Sequence, residues 1–110
     1  MNVLDKYVVT NKRCRAYGRN VWMIDLPNKH GVAVFLNKNM RICLKMSSVR
    51  FVGPQYTTGQ IVRDDLRKYE IAFVHHTHRY YVVKILEGRY VGFHTDKSPW
   101  ELMPLKATVL

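Results

Sequence analysis

The sequence predicts a mainly β protein, built as a small barrel or as meander sheets with one short helix. Three observations carry that reading. Apolar residues recur at period two through most of the chain, clusters of Gly, Pro, Asn and Ser interrupt them every few residues, and only one stretch has helical spacing. An α+β sheet with a longer helix is the alternative.

Residues 21–26 are rich in β-forming side chains and stop at the turn cluster 27–31, after which residues 32–36 resume as the second arm of a hairpin. Asn37, Lys38 and Asn39 make the next turn. Residues 41–46 alternate in strand register, Ser47 and Ser48 break the pattern, and residues 49–52 form a short return strand closed by Gly53 and Pro54. Helical spacing runs through residues 59–73, where Val62, Leu66, Tyr69 and Phe73 recur at i, i+4, i+7 and i+11, and a helix is expected there with Thr57 or Thr58 as cap. It ends near Lys68 or Tyr69, because residues 70–75 read as strand. Residues 79–86 and 89–93 flank Glu87 and Gly88, a two-residue connection suited to a tight hairpin. A break at 97–99 precedes a last segment, 100–103.

With 110 residues the chain is expected to be one domain, 1–110, in which two sub-sheets, about 20–52 and 70–105, are joined through residues 53–69. No residue-level repeat is evident, yet each half has three strands, a short break and a fourth segment. That element order resembles the short strands of SH3-like or KOW-type barrels, a class that includes many nucleic-acid and protein binders. The resemblance rests on element order alone and implies no particular activity.

Hydrophobic residues make up 47% of the chain and charged residues 24%, a balance that supports a folded core. The longest apolar run, residues 32–36, is far shorter than the roughly 20 residues of a membrane-spanning helix. No secretory signal is expected, and the setting is cytoplasmic or nucleoid-associated. Cys14 and Cys43 lack metal-ligand spacing and are expected to be free thiols.

Charge is the strongest functional signal. The net charge is +10, and residues 1–50 hold +8 of it, with ten Lys or Arg against Asp5 and Asp25. Such asymmetry points to a polyanionic partner, DNA or RNA, or to an acidic protein surface. The segment from Lys12 to Arg19 sets Lys12, Arg13, Arg15 and Arg19 around Tyr17, pairing phosphate-binding cations with a side chain able to stack on a base. Lys29, Lys38, Arg41 and Lys45 extend the candidate surface. A solvated loop whose charges discourage aggregation is the competing explanation.

Catalytic and metal readings are weaker. His75, His76, His78 and His94 supply imidazoles, but neighbouring strand residues point to opposite faces, so three do not converge. Glu70, Arg79 and the histidines offer the residue types of a metal-independent ribonuclease without its geometry. Asp64 and Asp65 read as helix-surface partners of Arg63, Arg67 and Lys68. The aromatic residues Trp22, Phe35, Phe51, Phe73, Tyr80, Tyr81, Tyr90, Phe93 and Trp100 read mostly as core, with one of Tyr80 and Tyr81 facing outward. The expectation is therefore a non-catalytic nucleic-acid-binding protein without cofactor or metal. A small interaction or inhibitor protein docking on an acidic surface is the alternative.

Overall fold

Along strand β3, Val32–Asn37, Ala33 and Phe35 are buried while Val32, Val34 and Leu36 are only partly so, the alternation that period-two patterning requires. The computed structural model describes residues 1–75 and 80–105. They form two compact units, Met1–Gln55 and Tyr56–Leu110. Both are antiparallel β.

The first unit contains β1 (Lys6–Val9), β2 (Asn20–Asp25), β3, β4 (Met40–Lys45), a 3-10 turn (Met46–Ser48) and β5 (Val49–Gly53). Its sheet order is β4-β3-β2-β1-β5. Tyr7, Val9, Val21, Met23, Ala33, Phe35 and Leu44 form its core. Tyr7 packs in T-shaped geometry with Phe35 at 5.5 Å between ring centroids and with Phe51 at 5.6 Å.

The second unit contains β6 (Ile61–Arg63), β7 (Lys68–His75), β8 (Tyr80–Ile85), β9 (His94–Lys97), a 3-10 turn (Pro99–Glu101) and β10 (Met103–Pro104), in sheet order β10-β6-β7-β8-β9. Each sheet is therefore a four-strand meander whose fifth strand returns to pair with the first. Neither closes into a barrel by strand pairing among the described residues.

The two registers coincide residue by residue. Met23 faces Phe35 and Asp25 faces Val34, with Ile24 as the extra residue of a bulge. Ile71 faces Val83 and Phe73 faces Val82, with Ala72 as the extra residue. Ahead of each first strand stands the same turn. The Leu4 amide donates to the Met23 carbonyl at 2.6 Å, and the Gly59 amide to the Ile71 carbonyl at 2.8 Å. A side-chain oxygen seals each turn, Asp5 accepting from the Asn2 amide at 2.8 Å and Gln60 from the Thr57 amide at 3.2 Å. The left-handed position is Leu4 in one turn (φ 69°) and Gly59 in the other (φ 90°).

Two expectations are corrected and one strand is added. The helix expected from residue 59 to about Lys68 or Tyr69 is instead a hairpin whose second strand, β7, contains the strand expected from residue 70: Val62 pairs with Tyr69 across β6 and β7, so their seven-residue spacing is cross-strand adjacency. Leu66 lies in the intervening turn, 80% exposed, and Phe73 is 49% exposed, so the apparent helical stripe has no common buried face. The α+β alternative falls with it. Residues 89–93 are turn, not strand; Gly88 and Gly92 adopt φ of 91° and 92°, and the fourth strand of that unit, β9, begins at His94. Finally, Lys6–Val9, which is not among the expected strands despite its β-forming Tyr7, Val8 and Val9, is a strand that joins β5 to the meander.

Candidate nucleic-acid interface

The connection between β1 and β2 is long because it folds into successive tight turns. Amide-to-carbonyl bonds run from Cys14 to Asn11 (3.0 Å), Tyr17 to Cys14 (3.0 Å) and Arg19 to Ala16 (2.9 Å). Asn11 starts the series by accepting the Arg13 amide on its side chain at 3.0 Å. The loop mouth is closed by Val9 and Arg19 (3.0 Å) and by Gly18 and Val9 (2.9 Å), with Gly18 at φ 81°. Cys14 and Ala16 pack against the core, so Arg13, Arg15, Tyr17 and Arg19 are turned outward and exposed. Alternation fixes that cationic face. Lys12 is exposed beside it.

The β3–β4 turn lies at the same end of the sheet, because β1 runs into its loop where β3 ends. Lys38 occupies the left-handed position of that turn (φ 55°), and Arg41 follows on β4. Arg15, Arg19 and Arg41 line one groove of about 400 Å³ together with Asn37 and Met40, over Ala16 and Ile42. No carboxylate lines it. Six of the nine candidate residues (Lys12, Arg13, Arg15, Tyr17, Arg19, Arg41) thus gather at one end, with Lys38 beside them.

Lys29 and Lys45 do not belong to this group. Lys29 sits in the β2–β3 turn, which Asn28 holds by accepting the amides of His30 (2.9 Å) and Val32 (3.1 Å). Lys45 faces Val32 at that same far end. The intervening six-residue strand separates them from the arginine groove by roughly 17 Å.

Of the first unit's two acids, Asp5 is committed to structure. It is buried and accepts amide bonds from Asn2 and Gln55, each at 2.8 Å. The groove's positive field is thus left uncompensated from within its own lining.

In the second unit a polar cluster stands where the first has only apolar residues. Matching the registers places Asp64, Tyr69 and Lys97 at the positions of Val9, Val21 and Leu44. Asp64 accepts from the Tyr69 hydroxyl (2.7 Å) and from the amides of Leu66 (2.8 Å) and Arg67 (2.9 Å), and Lys97 lies 3.2 Å away. Burial pushes the Asp64 carboxyl up, but these four donors outweigh it and hold the group well below the usual carboxylate range. The expected surface pairing with Arg63, Arg67 and Lys68 is corrected accordingly: Asp64 is buried and its ion pair is with Lys97. The carboxylate nucleates the β6–β7 turn, a structural task.

The aromatic residues divide differently from the sequence expectation. Phe35 and Tyr81 are buried, and Tyr81 accepts the Tyr56 amide on its hydroxyl at 3.0 Å. Phe51, Phe73, Tyr90 and Phe93 are exposed by 50%, 49%, 51% and 65%, and so are not core. Tyr90 and Phe93 share the β8–β9 loop. Sequence reasoning missed that loop because Tyr, Val and Phe are strand formers; the signal available was the pair of glycines, Gly88 and Gly92, four residues apart.

Across β7, β8 and β9, Glu70, Lys84 and His94 form a single row. Among the described residues no three His, Cys, Asp or Glu side chains assemble as metal donors. His76, His78 and Arg79 lie outside the described residues. Cys14 and Cys43 are both unpaired with another cysteine, and no helix among the described residues is long and apolar enough to cross a membrane. No protein-family model matches the chain, and none of the curated proteins matches it either.

Proposed function

We propose that this protein binds nucleic acid without catalysis, holding phosphates at the loop end of its first unit. The observation that carries the reading is the groove shared by Arg15, Arg19 and Arg41 with no carboxylate in its lining. Guanidinium forks suit phosphate oxygens, and Lys12, Arg13 and Lys38 surround the same end. Tyr17, 51% exposed, offers a ring to a base or sugar. Lys29 and Lys45 contribute only to the long-range field, or to an anion long enough to run the length of the strands.

We further read each unit as an SH3-like or KOW-like sheet. The fifth strand pairs with the first and a 3-10 turn precedes it in both units, which supports that likeness. Fold likeness does not choose a ligand, so the functional argument rests on charge and geometry. The arginines are read as phosphate contacts, which carry no base information, and the expected binding tolerates many sequences. On this reading the protein works in the cytoplasm or on the nucleoid.

Fluorescence anisotropy against unrelated duplexes at several salt concentrations tests the proposal. Four or five phosphate contacts give a slope of log K against log salt of about −4. Replacing Arg13, Arg15 and Arg19 with Ala flattens the slope by up to about 3 and weakens all sequences alike. Absence of binding at low salt overturns the assignment. Isolation of one stoichiometric acidic protein on the same face would replace it with protein docking.

A further inference from the structure

We infer that the β8–β9 loop of the second unit is a stacking platform for the unpaired bases of single-stranded nucleic acid, an inference that rests on the nucleic-acid reading above and extends it to a second site. The matched registers supply the first reason. This loop is the counterpart of the two-residue β3–β4 turn, so each unit enlarges a loop at the corresponding end of its own sheet: the first unit its β1–β2 connection, the second its β8–β9 connection. The first enlargement is cationic. The second is aromatic.

Its side chains are presented on a fixed frame. Ile85 exchanges backbone bonds with the loop's far end, its amide donating to the Phe93 carbonyl and its carbonyl accepting the Gly92 amide, each at 2.8 Å. The Phe93 amide donates to the Tyr90 carbonyl at 3.0 Å, and Glu87 ties the loop's start to β7 by accepting the Lys68 amide at 2.8 Å. On this frame Tyr90, Val91 and Phe93 are exposed by 51%, 55% and 65%. The rings of Tyr90 and Phe93 lie 5.9 Å apart and inclined at 58°, so they present separate surfaces and do not bury one another face to face. Two aromatic surfaces held ready cost little entropy on binding.

The charge around the rings selects the partner. Arg89 stands beside Tyr90, and His94 and Lys84 face each other where the loop joins the sheet. Glu70 lies opposite Lys84 on β7 and offsets it, and Glu87 is occupied by the Lys68 amide. Arg89 within the loop and Arg67, whose guanidinium lies against Gly88, supply cations suited to a phosphate next to a stacked base. A duplex hides its base faces; a single strand exposes them, and any base has one.

The test uses the full chain, labelled oligothymidine, and a duplex of equal length. Tyr90→Ala/Phe93→Ala is expected to lower single-strand affinity about 10-fold or more, since stacking contributes about 1–3 kcal/mol per base. The loss appears as a parallel shift, with the salt slope unchanged, and duplex affinity stays within about twofold. Thermal unfolding confirms the variant is folded, and Tyr90→Phe/Phe93→Tyr, which keeps both rings, is expected to retain binding. Unchanged single-strand affinity in the double alanine variant, with duplex binding still sensitive to Arg13, Arg15 and Arg19, overturns this inference and leaves the first site standing. If wild-type chain binds neither probe, the nucleic-acid reading itself fails. Loss of sedimentation with anionic vesicles but not of oligothymidine binding would make the loop a membrane contact and likewise overturn the inference.

Discussion

The Tyr69 hydroxyl donates to the Asp64 carboxylate at 2.7 Å, joining a strand to the turn that precedes it. In the first unit the matching positions are Val21 and Val9, both buried in the apolar core. One unit therefore places a charge network at these positions, the other hydrocarbon. Breaking one partner of a buried pair costs more than the pair contributes, because the remaining charge stays buried. Asp64→Ala is expected to destabilise the protein by about 3 kcal/mol, and Tyr69→Phe by about 1 kcal/mol. Urea unfolding of both variants checks the order.

The same network predicts a pH dependence. Asp64 is depressed in the folded state, so its contribution is present above its unfolded value of about 3.9 and is lost as pH falls further. For Lys97, burial pulls the ammonium down but the Asp64 carboxylate, Tyr69 and Glu101 raise it overall. Tyr69 is raised by burial and by Asp64. Both favour their protonated forms on folding, so their contribution holds below about pH 10 and is lost as pH rises through the raised values. Stability measured from pH 2 to 12 is expected to fall at both ends, and Asp64→Asn, already less stable at neutral pH, is expected to lose less on acidification.

Gly59 carries φ of 90° in open space, with no atom within 4 Å of the point where an alanine methyl would stand. The effect of Gly59→Ala is therefore backbone strain without collision, about 1 kcal/mol. At Leu4, which holds the equivalent conformation, the strain is offset by burial of the side chain. Leu4→Gly relieves one and removes the other, and a net loss of about 2 kcal/mol is expected. Thermal shifts of the two variants separate these effects.

The two ends of the first unit are expected to differ in binding. Arg15→Ala/Arg41→Ala removes two groups from one groove, whereas Lys29→Ala/Lys45→Ala removes equal charge from the far end. The first pair is expected to reduce the magnitude of the duplex salt slope by about 2, the second by less than about 1. Equal effects would indicate a response to net charge alone.

Binding without cleavage is the final expectation. Glu70, Lys84 and His94 lie in one row on β7, β8 and β9, so they are the described residues with which phosphodiester hydrolysis would be built. Labelled RNA is expected to stay intact through prolonged incubation with the full chain. Cleavage abolished by His94→Asn, in a variant that remains folded, would make the protein a ribonuclease.

The sequence by itself determined the strands from β2 to β5, because their apolar alternation and their Pro, Gly and Asn turns act over neighbouring residues. It also determined the charge asymmetry, which is a count. What only the tertiary structure decided depends on distant partners. Val62 and Tyr69 are seven residues apart, a separation common to two helical turns and to this hairpin, and Asp64 resolves it by accepting the amides of the turn. Lys6–Val9 has β-forming residues but no partner strand one short turn away, and it becomes a strand by pairing with β2 and β5. Tyr90 and Phe93 have strand-forming chemistry, but the glycines beside them and the bonds to Ile85 hold them in an exposed loop. The cations of residues 12–19 were legible one by one. That Arg15 and Arg19 meet Arg41 while Lys29 and Lys45 do not was set by the sheet, since antiparallel pairing brings alternate loops to opposite ends.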